Sequence, residues 1–201
     1  MEIENLSPGG FAANCYLLSN GGDAVLIDPT APVADVRAAL QRKGASLRAV
    51  LLTHGHFDHL LTATAMREAF GVPLLVHASD NELLNDGEKN ASSVFLYRSV
   101  CCLPADKTFV GGDTLTFGAI TLSVLHTPGH TKGSSVFLSD CVAFTGDTLF
   151  AEGYGRTDLY GGSTPALCAS LKTLAGLDGD IRIYPGHGED TALRYAISVL
   201  Q

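Results

Sequence analysis

"THGHFDHLL", residues 53–61, places three histidines and an aspartate within six positions, in a chain that has seven histidines in all. The residues before it, "LRAVLLT" (47–53), form a continuous apolar run that reads as a buried strand. The residues after its first half, "FDHLLTATAMREAF" (57–70), read as a helix closed by Gly71. His54–Asp58 therefore occupies the turn between a strand and a helix. In an extended backbone His54 and His56, two apart, fall on the same side and can reach one ion. Asp58 and His59 are adjacent, diverge, and can address a second point. Four such groups buried unpaired at one strand end would cost several kcal/mol, so the cluster is read as a site for two neighbouring metals. Neutral imidazoles and carboxylates are the ligands of catalytic zinc.

Working outward, the same style recurs. "NCYLLS" (14–19) and "AVLID" (24–28) suggest a hairpin, and Pro32 to Gly44 brackets a helix. "VPLLVH" (72–77) is a further strand, and 79–106 reads as a polar excursion or lid. "DTLTFG" with "AITLSVLHT", and "SSVFLS" with "CVAFTG", are two more hairpins. Ser163-Thr164-Pro165 caps a helix running to about Ala175, "DIRIYPG" (180–186) is a last strand, and 190–200 a last helix. Three strand ends in this half carry a possible ligand directly after a glycine: His130 in "HTPGHTKG", Asp147 in "FTGDTLF" and His187 in "YPGHG". His77 reads as an ordinary strand-end residue, and His126 as a neighbour of the ligands rather than one of them. Strand-rich halves with helices suggest two sheets packed face to face, helices outside, within a single domain spanning 1–201.

Composition narrows the function. Thirteen basic and 21 acidic residues give a net charge of −8, which argues against unspecific nucleic-acid binding. The N-terminus is acidic and interrupted, unlike a signal peptide, and no apolar run is long enough for a membrane span. The five cysteines, Cys15, Cys101, Cys102, Cys141 and Cys168, match no zinc ribbon or redox pair. They read as reduced, mostly buried small hydrophobes, and the expected location is cytoplasmic.

Taken together, T-H-x-H-x-D-H (53–59), T-P-G-H-T (127–131), G-D-T-L-F (146–150) and P-G-H-G (185–188) resemble the metallo-β-lactamase-fold hydrolases, and among them the glyoxalase II (hydroxyacylglutathione hydrolase) group. The resemblance runs from "NCYLL" to "GHG" and implies an αββα sandwich of two mixed sheets with a dinuclear site at its edge. It implies that His54, His56 and His130 hold one metal, that Asp58, His59 and His187 hold the second, and that Asp147 bridges them. The implied cofactors are two divalent ions, zinc first, with iron or manganese as alternatives. The implied reaction is hydrolysis of a thioester such as S-D-lactoylglutathione by a hydroxide bridging the metals, with Asp58 as a catalytic group orienting it. Arg156, in "GRTDL" (155–159), matches a basic position that contacts glutathione and is expected to bind a substrate carboxylate, so the expected partner is a small anionic thioester or ester.

The sequence departs from that pattern in two places. Leu60 and Leu61 follow Asp58-His59 where relatives carry small residues. The chain ends about fourteen residues after His187, so the resemblance is to the short type without the C-terminal helical domain. "GRTDL" is shared with persulfide dioxygenases, which use one iron. A lactonase or other ester hydrolase on the same site is the remaining alternative.

Overall fold

The structure is a computed structural model and describes residues 1–200. The chain runs β1 (Glu2–Asn5), β2 (Tyr16–Asn20), β3 (Asp23–Ile27), α1 (Val33–Lys43), β4 (Ser46–Leu51), α2 (Ala63–Phe70), β5 (Leu74–His77), α3 (Ser92–Leu96) and β6 (Lys107–Phe109). It continues through β7 (Thr114–Phe117), β8 (Ile120–His126), β9 (Ser135–Ser139), β10 (Val142–Gly146), α4 (Thr164–Ala175), β11 (Arg182–Pro185), β12 (Thr191–Ala192) and α5 (Leu193–Val199). β1 to β6 lie in chain order in one six-stranded sheet, and β12-β11-β10-β9-β8-β7 form a second. Each sheet mixes antiparallel hairpins with parallel pairs, β3–β4–β5–β6 in the first and β10–β11 in the second. The fold is the αββα sandwich.

Period-two alternation builds the layers. Leu18, Val25, Ile27, Ala49 and Leu51 from the first sheet meet Leu122, Val124, Phe137 and Phe144 from the second in one buried cluster. Their strand neighbours Leu17, Leu26 and Val50 point the other way, onto Val36, Leu40 and Met66 of α1 and α2. Val136, Ala143 and Ile183 likewise turn outward onto Leu174 of α4 and Leu193 and Ala196 of α5. A strand with apolar residues on both faces reads as a continuous apolar run, which is why 47–53 stood out in the sequence.

Several expectations need correction. The 57–70 helix is broken: Phe57–His59 is a single 3-10 turn, and the α-helix starts only at Ala63. Leu60 lies in that break and is buried in the core against α2, which is where the departure from small residues is absorbed. The 79–106 segment is no free excursion. Asp80, Leu83, Asn90 and Ser92 are buried, and Leu84 and Cys102 join the core. Its polar residues are buried because they satisfy backbone groups, a pattern that hydropathy does not register. The last helix begins at Leu193, after the short strand β12, and β1 and β6 were not visible as strands. Only Cys15 and Cys102 are buried; Cys101, Cys141 and Cys168 are exposed, and all five are free. No helix among the described residues is long and apolar enough to cross a membrane.

Phe144 is fully buried between the sheets. Phe144→Ala should lower unfolding free energy by about 3–5 kcal/mol. Urea denaturation should show this as a shifted midpoint with an unchanged slope.

Candidate metal centre

The parallel strands β3 and β4, and β10 and β11, aim their carboxyl ends at one edge of the sandwich, and the loops leaving those ends carry the candidate ligands. Three ring nitrogens converge there. His54 Nε2 lies 3.1 Å from His56 Nδ1, His56 Nδ1 lies 2.9 Å from His130 Nε2, and His130 Nε2 lies 3.2 Å from His54 Nε2. All three side chains are buried. A triangle of nitrogens cannot be satisfied by protons: one N–H can serve one edge, which leaves the other lone pairs facing each other.

The far side of the rings fixes where the protons sit. His130 Nδ1–H donates to the Arg156 carbonyl at 2.7 Å. Thr53 Oγ1 donates to Asp28 Oδ2 at 2.8 Å and so is left to accept from His54 Nδ1–H at 3.2 Å. Both partners place the bare nitrogen, Nε2, in the triangle. Burial, and then the neighbouring rings, hold His54 well below the usual imidazole range and His56 down to about 3. The His54 and His56 rings are thereby held toward the neutral form, with lone pairs free for an ion.

A second group stands beside the first. His187 Nε2 is 3.2 Å from Asp58 Oδ2, and Asp58, His59 and His187 lie close enough together to hold an ion. Asp147 sits between the two groups. Its Oδ2 is 3.5 Å from His130 Nε2 and 3.7 Å from His187 Nε2, and its Oδ1 is 3.3 Å from His59 Nε2. His59 Nε2 and Asp147 Oδ1 are both buried without a hydrogen-bond partner, which is the condition of ligand atoms lacking their ion. Burial would lift the Asp147 carboxyl, but His59, His130 and His187 outweigh it and hold the acid well below its ordinary range. Burial would likewise depress His59, yet Asp28, Asp147 and Asp58 raise it well above the ordinary value. This half of the site is arranged around positive charge. The residues fit one or two divalent cations on these grounds.

Two glycines make the approach possible. Gly146, before Asp147, has φ +48°, and a Cβ there would stand 2.5 Å from Thr53 Oγ1. A Cβ on Gly186, before His187, would stand 2.2 Å from Asp147 Oδ1 and 2.7 Å from His59 Cε1. Those positions need glycine because backbone lies against Thr53 at Gly146 and against ligand side chains at Gly186.

Two buried acids escaped the sequence reading. Asp28 takes up a left-handed conformation, φ +53°, at the end of β3. Its carboxylate accepts from Thr53 N at 2.8 Å and from His59 Nδ1–H at 2.9 Å, besides Thr53 Oγ1. The signal for it was the acid ending the apolar run "AVLID". Asp80 accepts from Gly55 N at 2.9 Å, Thr131 Oγ1 at 2.7 Å and Gly133 N at 2.6 Å. It ties the His54–His56 loop to the one after His130, and no local pattern announced it.

The other histidines lie outside the groups. His77 stacks on His126 at 4.2 Å between ring centroids, and His126 Nε2–H donates to the Lys132 carbonyl at 2.9 Å. Arg156 lines a cavity of about 210 Å³ with His56, Asp58, His130 and Asp147. Its guanidinium is paired through two nitrogens with Asp158 at 2.6 and 2.7 Å.

Comparison with known proteins agrees with this geometry. The Metallo-beta-lactamase superfamily profile matches residues 8–187, and the chain belongs to that superfamily. It is 37% identical to an uncharacterized protein of Mycobacterium tuberculosis over 96% of this chain and 93% of that one. It is 33% identical to a "probable metallo-hydrolase" of Bacillus subtilis over 95% and 92%. The hydroxyacylglutathione hydrolase GloC of Haemophilus influenzae is 32% identical over 96% and 93%. Among solved structures, BLEG-1 B3 metallo-beta-lactamase superposes with a TM-score of 0.91 at 34% identity, covering 98% of this chain and 97% of that one. A di-iron-bound form of TTHA1623 gives 0.84 at 34%, covering 96% of each. ETHE1 of Myxococcus xanthus gives 0.77 at 28%, covering 96% and 80%.

Asp28→Ala removes the acceptor that orients His59. It should weaken binding of an ion at His59 by roughly 10–100-fold, and affect the His54–His56–His130 group less, through Thr53 alone. Elemental analysis along a chelator titration should show one metal leaving early and one late.

Proposed function

We propose that this protein is a dinuclear metal-dependent thioester hydrolase, with S-D-lactoylglutathione as the first substrate to test. The observation that carries the reading is the completeness of the second ligand group: Asp58, His59 and His187, joined to the first through Asp147. A mononuclear iron enzyme requires only a smaller set. Similarity to GloC supports the thioester, and the "metallo-hydrolase" relative supports hydrolysis.

In this reading His54, His56 and His130 hold one ion, Asp58, His59 and His187 the other, and Asp147 both. The ions are zinc, with iron or manganese as alternatives; the di-iron TTHA1623 structure keeps iron in view. Such ions, when bound, supply Lewis-acid polarisation of a carbonyl and a water acidified toward neutrality. The protein's own groups do the rest. Asp58, at the cavity wall, accepts a hydrogen bond from the attacking water and orients it. Asp28 and the Arg156 carbonyl keep His59 and His130 in fixed tautomers, so that no ring must reorient during turnover. Arg156 presents Nη1, the guanidinium nitrogen left free by Asp158, to a carboxylate on the substrate. A lactone or other ester is the second chemistry that the same groups would serve.

The purified protein should carry close to two transition metals per chain and hydrolyse S-D-lactoylglutathione within a panel of thioesters, lactones, esters and a β-lactam. Asp147→Ala should lose both metals and turnover together. Full metal and full turnover in that variant would remove the bridging assignment. One iron per chain, with stoichiometric oxygen uptake on glutathione persulfide, would overturn the hydrolase.

Arg156→Ala should raise KM for an anionic thioester roughly three- to tenfold with kcat and metal content held, the mark of lost uniform binding. The modest size follows from the Asp158 pairing and from exposure of both partners. A neutral ester should respond little.

A further inference from the structure

Three phenylalanines from three separate segments form a row that ends at the metal centre. Phe57, between His56 and Asp58 in sequence, is buried. Its ring centroid lies 6.0 Å from Phe11 on one side and 6.1 Å from Phe95 of α3 on the other. The outer two rings are 59% and 46% exposed. All three line the 210 Å³ cavity that opens on His56, Asp58, His130 and Asp147, together with Leu96 and Leu159. Apart from the metal-centre groups, Arg156 is the one polar side chain in this lining. Its guanidinium lies 5.5 Å over the Phe95 ring, with its charge already met by Asp158.

The wall is fixed in place. Asn90, fully buried, accepts from Phe57 N through its carbonyl at 3.1 Å, and its side chain bonds the Ser92 amide and the Val100 carbonyl. The segment that carries Phe95 is thus hydrogen-bonded to the metal-binding loop itself. Ala91 and Tyr97, at the two ends of α3, both sit at positive φ, 69° and 53°. Non-glycine residues hold such angles at a cost of about 1 kcal/mol or more, and surrounding structure must impose them. The exposed rings of Phe11 and of Phe95, the latter on the segment held by these bonds, leave apolar surface beside the metal-centre groups, and covering it is favourable by about 25 cal/mol per Å². A cavity of roughly 150 Å³ lined by apolar residues suffices for a benzene ring, so this one admits an aryl group or a comparable alkyl chain.

Resting on the hydrolase reading above, we propose that Phe11, Phe57 and Phe95 form a specificity wall. One arm of the thioester, acyl or thiol, is an apolar group of aryl size that lies along it. The short polar lactoyl group would leave the wall uncovered, so S-D-lactoylglutathione is a poor substrate beside a thioester with such an arm.

The test is a set of thioesters in which each arm is varied in turn, acetyl against phenylacetyl and methyl against benzyl. Binding of inert methyl and phenethyl thioethers to the purified metal-loaded protein is measured by calorimetry alongside. One arm should show at least about a tenfold gain in kcat/KM with the aryl group, and the phenethyl thioether should bind correspondingly tighter. Phe95→Ala should cut both ratios about fivefold or more with metal content intact, and Phe95→Leu should restore part of each. Tyr195→Ala, on the exposed face of α5, should leave the ratios alone. Turnover with no aryl preference on either arm, and equal binding of the two thioethers, would overturn the wall while the hydrolase stands. Absence of turnover on every thioester, with Phe95-dependent preference for the phenethyl probe, would support the wall and remove the thioester reading.

Discussion

Three imidazole lone pairs pressed to within 2.9–3.2 Å of one another are unfavourable unless something cationic lies among them, and much of the surrounding structure serves to keep them there. The strand ends deliver the rings from both sheets: His54 and His56 follow β4, and His130 follows β8. Hydrogen bonds on the outer edges of His54 and His130 then decide which nitrogens are bare. Asp80 anchors the two loops to each other through Gly55, Thr131 and Gly133. These bonds are buried, where each is stronger than in water and where loss of one partner strands the other. The rigidity of the edge follows from that arithmetic.

The electrostatics of the molecule divide along the same line. The chain as a whole is acidic, and that total includes the site's buried acids Asp28, Asp80 and Asp147 and the half-buried Asp58. Asp80 neutralises nothing nearby by direct pairing; backbone amides and a hydroxyl satisfy it, and burial raises its pKa against their pull. Asp28, Asp58 and Asp147 instead surround His59 and push it toward the charged form. A doubly charged ion at that position meets a field already prepared for it. The exposed ion pairs elsewhere, such as Arg42 with Glu4 and Arg67 with Asp106, lie on the surface and contribute little to stability.

How much of this was legible in the sequence depends on the range of the interaction. The sandwich could be read because strands buried on both faces leave continuous apolar runs, and the hairpins because each is closed by a local turn. His54, His56, Asp58 and His59 could be read because they crowd one strand end, and His130, Asp147 and His187 because each follows a glycine near a strand end; their division into two groups came from the family resemblance. The helix over 57–70 failed because amphipathic spacing continued through a segment whose backbone is bent to present His56 and His59. The 79–106 segment failed because Asp80 is buried by partners far along the chain and Asn90 by a turn closed within the segment, and Asp28 stayed hidden because its partners also lie well away in sequence. Polar residues in the interior are defined by what they bond, and those bonds close only when separate segments meet: neighbouring strand ends for Asp28, the two halves for Asp80.

His130 takes its orienting bond from the carbonyl of Arg156, and Phe57 places its amide on the carbonyl of Asn90. In both places the outer loop contributes main chain only: the Arg156 carbonyl accepts from the His130 ring and the Asn90 carbonyl from the Phe57 amide. Side chains on the outer loops can therefore be exchanged without disturbing the ligands they flank. Selection for a new substrate and selection for an intact metal centre act on different atoms of the same residues. An architecture wired in this way can be retuned by single substitutions at the rim. That freedom is consistent with relatives at 32–34% identity carrying names as different as B3 metallo-beta-lactamase and hydroxyacylglutathione hydrolase.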